Sequence, residues 1–166
     1  MGVPAIATAP MDMKKFIKIL IPSLLVIFCL LQLTNPSRTN PSAKADFLDA
    51  LHPPPEVATA LTQACYDCHS YQTRWPWYSH VAPVSWLIAS DVFDGRSHLN
   101  FSDWPTNDIK HMVRHMEEMS DQISSHTMPP SQYTLIHAQA RLTDAQRKTM
   151  TEWLDSQSDA LVKSTP

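Results

Sequence analysis

Only two glycines, Gly2 and Gly95, occur against fourteen prolines, and this imbalance narrows the possible folds more than any other feature of the chain. Tight hairpin turns and phosphate-cradling loops both draw on glycine for backbone conformations that other residues avoid. Proline instead suits the first turn of a helix and the bends between helices. No stretch sustains the period-two alternation of a half-buried strand, and no internal repeat is present. The expectation is an all-α domain. Nucleotide and serine-hydrolase chemistries lack their usual strings, G-x-G-x-x-G, the P-loop and G-x-S-x-G. A net charge of -3 offers no electrostatic footprint for nucleic acid, so no nucleic-acid partner is expected.

Four helical segments are readable beyond Pro55. The first, residues 56–64, aligns Val57, Leu61 and Ala64 on one face. A second starts near Pro83 and runs to Asp94, with Val84, Leu87, Ile88 and Val92 together and Gly95 suited to the position just past its end. The third follows Thr106 and displays Ile109, Met112, Val113, Met116 and Met119. A fourth opens on Thr143-Asp144-Ala145-Gln146, a capping-box pattern, and carries Met150, Trp153, Leu154 and Leu161.

Upstream, residues 16–33 read FIKILIPSLLVIFCLLQL, about the length needed to cross a bilayer core. Lys14, Lys15 and Lys18 cluster on the N-terminal side, so residues 1–15 are expected in the cytoplasm and everything beyond Leu33 on the far side. An uncleaved transmembrane anchor is preferred over a signal peptide cut after Ala43-Lys44-Ala45, because that site lies far from the apolar run. Residues 34–55 are rich in Pro, Ser, Asn and Thr and read as a linker, with residues 47–51 forming a short turn that docks on the domain. The folded domain beyond it then occupies residues 56–160.

Its chemical motif is Cys65-Tyr66-Asp67-Cys68-His69. Two thiols one helical turn apart can reach the two vinyl groups on one edge of a haem, and the following imidazole projects toward the iron. Cys65 and Cys68 are therefore the candidate thioether residues and His69 the candidate proximal iron ligand, for a single covalent haem c. A thioredoxin-like pair would want a βαβ setting, and a zinc site would want a further ligand pair. The third cysteine, Cys29, lies in the apolar run as a small filler.

For the distal iron position Met128, in Met128-Pro129-Pro130 between the third and fourth helices, is the first candidate. Methionine opposite histidine raises the reduction potential and suits electron transfer. His126 is its rival. His98 and His80 are further possibilities, whereas His111 and His115 read as a solvated pair and His52 and His137 as surface residues. Met112, Met116 and Met119 have the helical spacing of core residues. Trp75-Pro76-Trp77-Tyr78, with Trp86 and Trp104, could wall a haem, and Arg74 and Arg96 could pair with its propionates.

The segments ACYDCHSYQTRWPWYSHVAPVSWLIASDV, DGRSHLNFSDW and MPPSQYTLIHAQARLTDAQRKTMTEWL resemble the bacterial haem-binding domain family, small exported Cys-x-x-Cys-His proteins. The likeness spans roughly residues 48–154. It implies covalent haem at Cys65 and Cys68, axial His69, Met128 as the distal ligand, and a cytochrome c-like bundle of about four helices around one haem. The resulting expectation is a single-pass monohaem c-type cytochrome of the cytoplasmic membrane, transferring one electron at a time on the periplasmic side. Its partners would be membrane or periplasmic redox proteins, the cytochrome c maturation machinery and, through residues 16–33, the lipid bilayer. No catalytic residue is assigned. The alternative is a peroxidase-like haem enzyme, or a gas or redox sensor, with an open distal site.

Overall fold

The computed structural model describes residues 12–164. Its helices are α1 (Met13–Leu31), α2 (Phe47–Leu51), α3 (Pro55–Ala64), α4 (Tyr66–His69), α5 (Val84–His98), α6 (Ile109–Ser124), α7 (Ser131–Ile136) and α8 (Asp144–Ser164). Short 3₁₀ turns cover Trp77–His80 and Ala138–Ala140. Among the described residues there is no strand, only an isolated parallel bridge between Ala45 and Asp103. The fold is all-α.

Packing of α6 against α8 forms the largest helix contact, and α3 lies on α8. The stripe expected on α6 holds for Met112, Met116 and Met119, which are buried with Ile123 and meet Met150 and Leu154 of α8, whereas Ile109 in the first turn is exposed. Val57, Ala60, Leu61 and Ala64 make the inner face of α3. Side chains fix where the main helices begin. The Asp108 carboxylate accepts from His111 N–H at the start of α6. At α8 the capping box is complete, because Gln146 N–H donates to Thr143 Oγ1 while Thr143 N–H donates to Gln146 Oε1.

Residues 34–55 do not hang free as a linker. Phe47 is fully buried, edge-on to Phe101, Trp104 and Trp153, with ring centroids 5.2, 4.7 and 6.0 Å away. Lys44 N–H donates to Ser102 O, Phe47 N–H to Phe101 O, and Trp104 N–H back to Ala45 O. Further upstream, Asn40 donates to Thr73 O and Arg38 to Ser79 O. The polar composition that suggested a linker supplies the groups that tie the segment down.

Two other expectations are corrected. α5 does not end before Gly95 but continues through it to His98, because the glycine serves a helix contact rather than a cap. The expected membrane-spanning segment is also not supported, since no helix among the described residues is long and apolar enough to cross a membrane. α1 has 19 residues, but Lys14, Lys15 and Lys18 occupy its first turns. The lysine-free remainder, residues 19–31, rises about 20 Å, against about 30 Å of bilayer hydrocarbon. None of its residues is buried against the domain.

Phe47→Ala should cost about 3–5 kcal/mol, the range for removing a core phenylalanine. Urea unfolding should show a lower midpoint with an unchanged slope. A neutral result would mean that residues 34–55 do not belong to the cooperative unit.

Candidate functional site

The Cys65–His69 turn sits where α3 ends, with α4 as its single helical turn. Leu61 O accepts from Cys65 N–H, and Cys65 O accepts from both Cys68 and His69 N–H, so the turn carries directly on from α3. Tyr66 and Asp67, the two residues between the cysteines, act as anchors. Tyr66 is buried, stacks on Phe101 at 4.8 Å between centroids, and donates from its hydroxyl to Asp46 Oδ1 at 2.9 Å. Asp46 also caps α2 through Leu48 N–H and accepts from Gln72. Burial first, and then the Asp46 charge, push the Tyr66 phenol above its ordinary range.

Asp67 is the most heavily bonded side chain of the turn. It accepts from Arg74 at three donors, the backbone N–H, Nε and Nη2, and from the Tyr133 hydroxyl of α7 at 2.9 Å. Burial alone would raise this carboxyl, but the donated bonds outweigh it and hold the group below the ordinary carboxylate range. Tyr133 in turn stacks on His137 at 4.0 Å. His137 Nδ1–H donates to Tyr133 O, which leaves Nε2 to accept from the Tyr78 hydroxyl. The Trp77–His80 turn, α7 and the Cys65–His69 turn are thereby joined.

α5 closes on the other side. A Cβ added at Gly95 would lie 2.7 Å from Cys68 O and 3.3 Å from Cys68 Cβ. Only glycine permits this approach. It brings His69 Nδ1 to 2.9 Å from Gly95 O and 3.1 Å from Leu99 O, the two carbonyls near the C-terminal end of α5. His69 O accepts from Phe101 N–H at 2.7 Å, so ring and backbone are held by one segment. Two carbonyl acceptors fix the proton on Nδ1 and leave Nε2 as the lone-pair nitrogen. Burial lowers the affinity of His69 for a second proton, which keeps it neutral as a metal ligand must be.

Cys65 and Cys68 are both free thiols, partly accessible. Burial, then the neighbouring Cys68, pushes Cys65 up to about 12; burial, then Asp67, pushes Cys68 up to about 11. A thioredoxin-like centre wants the opposite, a thiol lowered into the neutral range. Among the described residues no group of three or more His, Cys, Asp or Glu could hold a metal ion, so a zinc reading has no ligand set.

The remaining candidates are distributed unevenly. Met128 is half-buried in the loop after α6, its N–H donating to Gln122 O and its carbonyl accepting from Arg147 Nη1 at 2.8 Å. Arg147 also holds Ile123 O, so one guanidinium ties the end of α6 to this loop. His126 is exposed, adopts a left-handed backbone (φ 61°), and faces Asp144 at 3.8 Å. His98 is exposed and bonds back to Asp94 O. His80 and His52 are exposed. The reading of His111 and His115 as solvated is half corrected, because the His115 side chain is only 13% exposed and lies against Trp104, with His111 stacked on it at 4.8 Å.

Neither arginine proposed for propionates is free. Arg74 is spent on Asp67, and Arg96 donates to Ser70 O, Thr39 O, Asn40 Oδ1 and Thr73 Oγ1 with its guanidinium over Tyr71. Trp75 Nε1, by contrast, is buried with no hydrogen-bond partner among the described residues. Two thiols and an imidazole with its lone pair at Nε2 form a donor set that fits haem. Asp67, Tyr133, Asp46 and Arg147 escaped the sequence reading, although Asp67 stands inside the motif and Arg74 seven residues beyond it.

The family model described as a haem-binding domain matches residues 26–156. The chain belongs to the haem-binding domain family. No curated protein and no solved structure matches it. The match runs from the middle of α1 to the middle of α8, so the haem-binding domain includes the docked segment 34–55 as well as the helices around the motif.

Gly95→Ala should destabilise this domain, because the obstructing atom is a backbone carbonyl that cannot swing away. Overpacking of this kind costs about 1–3 kcal/mol, partly offset by the better helix propensity of alanine. Chemical denaturation checks it, and a stabilised variant would contradict the close approach. Acid should act through Asp67. Its folded-state pKa lies below the unfolded value, so its contribution is complete above about pH 4 and is lost as pH falls through the folded value. Asp67→Asn should therefore lower stability at neutral pH and flatten its dependence below about pH 4, measured as unfolding midpoint against pH.

Proposed function

We propose that this haem-binding domain is a monohaem c-type cytochrome that carries single electrons on the periplasmic side of the cytoplasmic membrane. The observation that carries the reading is the fixed tautomer of His69, with Nδ1–H shared between Gly95 O and Leu99 O beside two free thiols at the spacing of haem vinyl groups. Cys65 and Cys68 would form the thioethers, His69 the proximal ligand and Met128 the distal one. The haem, when bound, supplies a one-electron Fe(III)/Fe(II) couple.

What the chain contributes is positional. The α5 carbonyls orient the imidazole and strengthen it as a ligand. Arg147 holds the Met128 carbonyl, limiting how far that loop can drift. His126 pairs outward with Asp144, which favours Met128 as the distal ligand. An electron carrier needs a site that changes little between oxidation states, and this network suits that need better than it suits a mobile distal acid–base group. α1, apolar beyond the lysines of its first turns, would attach the domain to lipid and serve in export.

Expression of the full chain in a host with a cytochrome c maturation system tests the reading. Haem should stay with the polypeptide on denaturing gels and be lost in Cys65→Ala/Cys68→Ala. Met128→Ala should abolish the weak sulfur-to-iron absorption band of the oxidised protein and lower its reduction potential, while His126→Ala should keep both. High-spin iron that binds carbon monoxide readily in the wild type would instead favour the enzyme or sensor.

A further inference from the structure

α5 carries apolar side chains on two opposite faces, and only one of them serves the motif. Ile88 and Gly95 fall on the same side, seven residues apart, the side that meets Cys68, while Val84 one turn earlier is 43% exposed. Trp86 and Phe93 are also seven apart, but Gly95 lies nine residues beyond Trp86, two and a half turns, so these two rings look the opposite way. Phe93 is 72% exposed and Trp86 37%. Between and after them the outward face presents Ala89, Ser90 and Ser97, with the Asp94 carboxylate at its flank accepting from Ser90 Oγ at 3.4 Å.

This outward face adjoins the end of α1. Trp86 Nε1–H donates to Thr34 O at 2.7 Å. The Gln32 side chain makes a two-way bond with the Ala82 backbone, accepting from its N–H at 2.9 Å and donating to its carbonyl at 3.3 Å. Leu33, between these two clasps, is 79% exposed. Leu33 thus stands in the chain between the two clasps, one of which is made by Trp86, and the helix is fastened to the domain within three residues of its end. A tryptophan with its ring on an apolar surface and its N–H on a carbonyl is suited to a membrane–water interface.

We infer that the outward face of α5, through Trp86 and Phe93, lies on the bilayer that receives α1, and holds the haem-bearing side of α5 at a set orientation to the membrane. The inference rests on the proposed attachment of α1 to lipid and adds that the domain docks instead of swinging on a tether. The motif then sits on the side of α5 away from lipid, about one helix diameter, roughly 10 Å, from the surface.

The test uses the full chain with covalent haem, bound to phospholipid vesicles for flotation and to stacked planar bilayers of the same lipid for linear dichroism of the haem bands. Wild type should float and show a strong dichroic signal. Phe93→Asp should still float, because α1 is intact, but should lose most of the dichroism. Val162→Asp, an exchange at another exposed position on α8, should keep it. Wild type that fails to float overturns the lipid attachment and the docking with it. Wild type that floats without dichroism, or Phe93→Asp that keeps full dichroism, overturns the docking alone and leaves the attachment standing.

Discussion

The close approach of the Cys65–His69 turn to α5 is the contact on which the rest of the site depends. It requires a residue without a side chain at Gly95, because Cys68 O occupies the place of a Cβ. Once the helices meet, the carbonyls of Gly95 and Leu99 reach His69 Nδ1, and the imidazole acquires a single protonation form and direction. Sterics and hydrogen bonding act in sequence here: the missing methyl sets the distance, and the distance makes the bonds possible.

The two residues between the cysteines extend that order outward by different means. Tyr66 reaches inward, stacking on Phe101 and bonding Asp46, and so ties the motif to the Phe47 aromatic cluster. Asp67 reaches sideways to Arg74 and Tyr133. A half-buried carboxylate is costly unless its lone pairs are filled, and four donors fill them. The segments ahead of α3 and after α6 are thus both fastened to one short turn.

The α-helical class, the starts of α6 and α8, the docking of residues 47–51 and the burial of Met112, Met116 and Met119 follow from local patterns, namely periodicity and caps. The membership in the haem-binding domain family was legible too, since it is carried by contiguous blocks of residues. What local patterns misjudge are groups whose partners lie far along the chain. Arg96 reads as a free cation until Thr39, Asn40, Ser70 and Thr73 are brought around it. Residues 34–55 read as a linker because their polarity does not reveal that the backbone of 101–104 will receive them.

By itself the sequence determined the chemistry on offer: two thiols and an imidazole at one spacing, a methionine in a proline-bounded loop, and helices as the scaffold. These are properties of neighbours along the chain. Only the tertiary structure decided that Gly95 is a contact point and not a cap, that His69 keeps its proton on Nδ1, and that both candidate propionate arginines are already bound. It also decided that α1 ends in a clasp on the domain. Each of these turns on a distance of about 3 Å between residues separated by up to 57 positions, and no pattern of neighbours encodes such a distance.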